Sequence, residues 1–98
     1  MVSATEAEVR KFNLAETLDI ASVNNLYVDL RTLLDSGMPI ILDGSAVSRA
    51  DTAALQILVS MFMYAAAHQC KLEWHSPSAA LVNVAALLGL DRHIGLNN

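Results

Sequence analysis

Cysteine and glycine are scarce in this chain, and each shortage removes a class of function. Its single cysteine, Cys70, cannot form an internal disulfide and leaves no metal-type Cys spacing, which suits a reducing compartment. The four glycines (Gly37, Gly44, Gly89, Gly95) are dispersed, with no GxGxxG or Walker pattern, so a phosphate-cradling loop is unsupported. Basic charge is also thin. Six Lys and Arg face ten Asp and Glu, giving a net charge of −4. Arg10, Lys11, Arg31, Arg49, Lys71 and Arg92 form no basic stripe, which argues against a nucleic-acid partner. His68, His75 and His93 show no HxxxH or HExxH spacing, so no metal or other cofactor is expected. The dispersed acids supply no general base–nucleophile pair, and an enzyme is not expected. The longest apolar run, Ala53 to Ala67, is broken by Gln56, Ser60 and Tyr64. It falls short of the roughly 18–20 residues a bilayer span needs. The N-terminal "MVSATEAEVR" lacks the apolar core of a signal peptide, so the expected location is cytoplasmic.

What the chain does have is apolar residues at structured spacing. They make up 54% of 98 residues, with 16% charged, which predicts one globular domain over residues 1–98, frayed at residues 1–7. "EVRKFNL" alternates weakly as a first strand. Val23, Leu26, Tyr27, Leu30, Leu33 and Leu34 form one helical stripe, with Asp19 as N-cap and Gly37 and Pro39 as stops. "PIILD" predicts a central strand buried on both faces. "GSAVSRA" reads as a polar turn before a long helix from about Thr52 to His68. "KLEWH" is a half-buried strand. "SPSAALVNVAALLGL" is a last helix with Ser76 as N-cap, Pro77 at its first position, and Leu81, Val84, Ala85 and Leu88 on one face. The fold class is α/β, a small mixed β-sheet covered by helices, with parallel pairing across the strand–helix–strand unit of residues 39–75.

The long helix carries the functional question. Asp51 sits at its N-cap and Thr52 at its first position, an arrangement that capping chemistry alone explains. The rest of the helix adds to this. Gln56, Ser60, Tyr64 and His68 recur every fourth residue as a narrow polar stripe, and the remaining surface is apolar. Either neighbouring helices cover both apolar sides, or part of the helix is a docking face. The small Ala53 and Ala54 beside Thr52 would leave a hydroxyl at the edge of a flat apolar patch. Met61 and Met63 read as core filler, and Cys70 as a small buried hydrophobe.

"PIILDGSAVSRADTAALQILV" resembles the signature of STAS domains, the fold of bacterial anti-sigma-factor antagonists. Asp43 ends the strand, Val47 is the small apolar residue of the turn, and Asp51-Thr52-Ala53-Ala54-Leu55 opens the helix. "LAETLD" is similar to the family's approach to its first helix, and "LLGLDRHI" to its C-terminal exit. The resemblance implies a signalling protein that docks on a serine/threonine kinase-type anti-sigma factor or related regulator. It maps the phosphorylated hydroxyl onto Thr52, with Asp19, Asp43, Ser48, Arg49, Asp51, Ala53, Ala54 and Gln56 as partner contacts. Two departures stand out: Ala54 replaces the family's Gly, and Glu16-Thr17 replaces its Gly-Glu pair. Some STAS proteins are instead fixed adaptors, such as the small subunit of the bacterial lipid-asymmetry ABC transporter, where a Thr here contacts the ATPase. A ligand pocket at the Asp43/Asp51 edge and homodimerisation through the apolar helix remain open.

Overall fold

Residues 9–34 and 37–96 are described by the computed structural model, so the fraying expected of residues 1–7 lies outside the described residues. The elements run β1 (Arg10–Asn13), β2 (Thr17–Leu18), α1 (Ile20–Leu34), β3 (Ile40–Asp43), β4 (Arg49–Ala50), α2 (Thr52–Ala67), β5 (Leu72–His75) and α3 (Ala79–Leu87). The main sheet has the order β1-β3-β5, and β2 pairs with β4 in a separate two-stranded ladder. All three pairings among the described residues are parallel, so the antiparallel part of a mixed sheet is not among them. The expected α/β class and the parallel pairing of β3 with β5 are both present.

Central β3 buries Ile40 and Leu42 completely, while Ile41 is half-buried, so one face is sealed and the other partly open. That tempers the expectation of burial on both faces. In α1, Val23 and Leu30 point into the core, with Leu26, Tyr27 and Leu33 packed at its margin. The Leu34 side chain lies outside the described residues. Helix α2 is the centrepiece, burying Ala54, Leu55, Leu58, Met61 and Ala65. Its two flanks are covered by rings. Tyr64 meets Tyr27 of α1 edge-on at 6.3 Å, and Phe62 stacks on Trp74 of β5 at 5.9 Å. Neighbours thus cover Phe62 on one side and Tyr64, a member of the polar stripe, on the other. Of the two methionines expected as filler, Met61 is buried but Met63 is 65% exposed.

The last helix starts later than its sequence suggests. Ser78, not Ser76, is the N-cap, its hydroxyl accepting from the Leu81 N–H at 3.1 Å. Ser76 instead takes a left-handed φ of 52°, which cannot open a helix, and Pro77 lies in the turn. Leu81 and Ala85 are buried, but Leu88 is 39% exposed and drops out of the expected apolar face. Gly44 allows this close return. A Cβ there would meet Leu81, Trp74 and Pro77 at 3.1, 3.2 and 3.3 Å. The Gly44 carbonyl also accepts the Ser78 N–H at 3.0 Å. Trp74 is locked by donating its indole N–H to the Ile94 carbonyl at 2.6 Å. Cys70 is buried as expected, and burial pushes its thiol pKa up.

Candidate protein-docking site

Two strands of two residues each build the site. Thr17 pairs with Arg49 and Leu18 with Ala50, in parallel. The next residue in each segment is an aspartate, and the next begins a helix. Asp19 precedes Ile20 at the start of α1, and Asp51 precedes Thr52 at the start of α2. Equal offsets from a parallel register set the two helix starts side by side, their positive poles facing the same way. Further backbone bonds fix the junction. The Ser48 N–H donates to the Glu16 carbonyl at 2.8 Å, and the Asp51 N–H donates to the Leu18 carbonyl at 3.1 Å.

Each aspartate caps its helix, as expected. Asp51 Oδ1 accepts the Ala54 N–H at 3.0 Å. Asp19 Oδ1 accepts the Ser22 N–H at 2.9 Å, and the Asp19 N–H donates back to Ser22 Oγ at 3.1 Å, a reciprocal box. The Ser22 backbone N–H, and then its side chain, hold the Asp19 carboxyl below the usual carboxylate range. Thr52 is exposed at the first position of α2. The cap satisfies the third N–H of that helix, and the first two project where Thr52 projects.

The remaining expected contacts divide. Ser48, Arg49 and Gln56 are exposed and Ala53 is half-buried, so all four can be reached by a partner. Ala54 cannot. Its side chain is fully buried because the third position of α2 turns inward onto the core, so it offers a partner nothing to touch. Asp43 stands apart at the end of β3. Its carboxylate accepts from the Ser45 hydroxyl at 2.7 Å and the Ser45 N–H at 2.9 Å, and pairs with Lys11 at 3.4 Å. The Ser45 bonds, helped by Lys11, lower its pKa to about 2. The shallow hollow at the junction, about 160 Å³, is lined by Thr17, Leu18, Arg49, Ala50 and Asp51. Asp43 is not among the residues that line it.

Sequence reasoning singled out Glu16 and Thr17 only as a departure from the family pattern, and it missed the short strand Thr17–Leu18 and the exposed Ile20. The available signal was the twice-repeated pattern of a short β-prone pair, an aspartate and a helix, at Thr17–Ile20 and Arg49–Thr52.

The arrangement defines an α/β module with an exposed, hydrogen-bond-stitched corner in place of an enclosed cavity. The chain belongs to the Mlab, STAS domain family, whose model matches residues 2–96. It is similar in fold to the protein TM1081, solved by NMR, with a TM-score of 0.74 and 21% identity over 89% of this chain and 71% of that one. No curated protein matches it in sequence. STAS domains are in general non-enzymatic mediators of protein–protein interaction, and membership supports a regulatory or adaptor role of that type. Among the described residues, no helix is long and apolar enough to cross a membrane.

Proposed function

We propose that this chain is a signalling adaptor that docks on a kinase-type anti-sigma factor or related regulator through the β4–α2 corner, and that phosphorylation of Thr52 releases it. The observation that carries this reading is the exposure of Thr52 at the first position of a well-capped helix, beside the reachable Ser48, Arg49, Asp51, Ala53 and Gln56. A bare hydroxyl there is small and neutral. A phosphate adds roughly −1.5 to −2 charges next to Asp51. Placed inside a contact, those charges meet like charge and lose water, and both effects oppose docking. In the free protein the same phosphate faces the unpaired N–H groups of the α2 start, with the Arg49 guanidinium three residues away in sequence and in no ion pair among the described residues. Modification therefore stabilises the free state relative to the docked one. Titrating a candidate regulator with wild type, Thr52→Ala and Thr52→Asp tests this. Thr52→Asp should bind about ten-fold more weakly, and equal binding of all three sinks the switch.

A second reading has support in the name of the matched family and in the threonine, in place of serine, at position 52. It makes the chain a constitutive subunit bound to the ATPase of an ABC lipid transporter, with Thr52 as an unmodified contact. Stable co-purification with such an ATPase, insensitive to phosphatase or kinase treatment, separates this from the switch. Recovery of the chain alone from cells contradicts it.

A further inference from the structure

The structure assigns Ile20 as an apolar anchor of the docking corner, seated in an apolar hollow of the partner that is rimmed by Lys or Arg side chains. This inference rests on the corner being the docking site, but not on whether Thr52 is phosphorylated.

Ile20 is 51% exposed at the first position of α1. The parallel register puts it at the same offset from Leu18 as Thr52 has from Ala50. Its direction follows from helix periodicity. Ile20 lies two turns before Tyr27, which touches Tyr64 of α2, so both belong to the α2-facing flank of α1. Ala53 lies three turns before Tyr64 and shares the α1-facing flank of α2. Packed helices stand about 8–10 Å apart, so Ile20 and Ala53 face each other across the mouth of the interhelix groove, with Thr52 next in line. Farther down, the same groove is closed by Tyr27, Tyr64 and His68, with the Arg31 guanidinium over both tyrosines at 5.9 and 5.3 Å. At the mouth, about half of the Ile20 side chain stays exposed.

The surrounding charge selects the occupant. Glu16, Asp19 and Asp51 are exposed in the two segments that the ladder joins, none in an ion pair among the described residues, and of the basic residues only Arg49 lies in those segments. A two-fold contact with a second copy would press these acids against their own counterparts. A partner with basic residues around an apolar hollow meets no such repulsion.

The test uses the full chain in cells, with the photocrosslinking residue p-benzoylphenylalanine in place of Ile20, of Thr52, or of Val28. Val28 is the control, 64% exposed on α1. We expect positions 20 and 52, and not 28, to crosslink to one protein, with the position 20 adduct on an apolar segment flanked by Lys or Arg. A crosslink from 52 without one from 20 overturns the Ile20 assignment and leaves the docking corner standing. Silence at both positions removes the corner itself. A second copy of the chain as the adduct, or an acidic target segment, also overturns the assignment. With the identified pair purified, Ile20→Ser should weaken binding roughly ten-fold, Ile20→Val should restore it, and the melting temperature of the free chain should not move. Unchanged affinity in Ile20→Ser refutes the anchor.

Discussion

The starts of α1 and α2 use one plan and finish it differently. Both follow a residue of the β2–β4 ladder, and both are capped by an aspartate that bonds the third N–H of the helix. At α1 the third residue is Ser22, and its hydroxyl accepts the N–H of the capping aspartate. At α2 the third residue is Ala54, which has no side-chain oxygen and is buried in the core. The Asp51 N–H instead continues the ladder, donating to the Leu18 carbonyl as the Arg49 N–H donates to that of Glu16. One helix start is closed locally, while the other is held by tertiary structure. The α2 start is the one that presents a hydroxyl, so Thr52 stands on a base tied at once to the core and to the neighbouring ladder.

Four changes would break or sharpen that contrast. The largest effect is expected at Ala54, where Ala54→Leu forces extra volume into a packed interior. It should cost about 1–3 kcal/mol in chemical denaturation. A fully tolerated leucine would mean that the α2 start is not seated in the core. Asp51→Ala removes one cap and should cost about 1 kcal/mol by the same assay. Ser22→Ala opens only the return half of the α1 box and should cost about 0.5 kcal/mol, less than Asp51→Ala. The reverse order would say that the return bond at α1 outweighs the carboxylate cap at α2. Thr52→Ala should leave stability within about 0.5 kcal/mol of wild type, so any change in its binding reports docking and not folding.

The smallest effect is electrostatic and concerns Asp43, which like Asp19 is held by a serine. The Asp43 pKa falls from 3.8 to about 2, chiefly through the Ser45 bonds and then through Lys11. A depressed pKa contributes stability that is complete above pH 3.8 and is lost as pH falls through about 2. Asp43→Asn should flatten the acid limb of stability in that window. Carboxyl chemical shifts in the wild type should place the Asp43 midpoint near its low end. A midpoint near 3.8 would show that the Ser45 contacts are not made in solution.

The sequence made some of this architecture plain and hid the rest, for physical reasons. The Val23–Leu33 stripe, the Ile40–Asp43 run and the capped helix after Asp51 all have enough residues to show a period, and each forms where expected. A two-residue strand has no period. "RA" therefore reads as part of a polar turn and "TL" only as the approach to a helix, so the ladder that joins the two helix starts leaves no sequence signal. The start of α3 was misplaced because two serines two residues apart both suit an N-cap, and only backbone dihedrals choose between them. Ala54 looked reachable because it is close in sequence to Thr52, but two residues further along a helix turn a side chain by about 200°. Ile20 was missed because it fits the flank of the α1 stripe, where periodicity predicts cover and the corner leaves it open.

The most direct measurement is the affinity of the chain bearing phosphothreonine at position 52 for the protein that the unmodified chain binds. The account predicts a loss of roughly a hundred-fold or more, as expected when a doubly charged group beside Asp51 must give up its water inside a partly apolar contact. An affinity equal to that of the unmodified chain would contradict it.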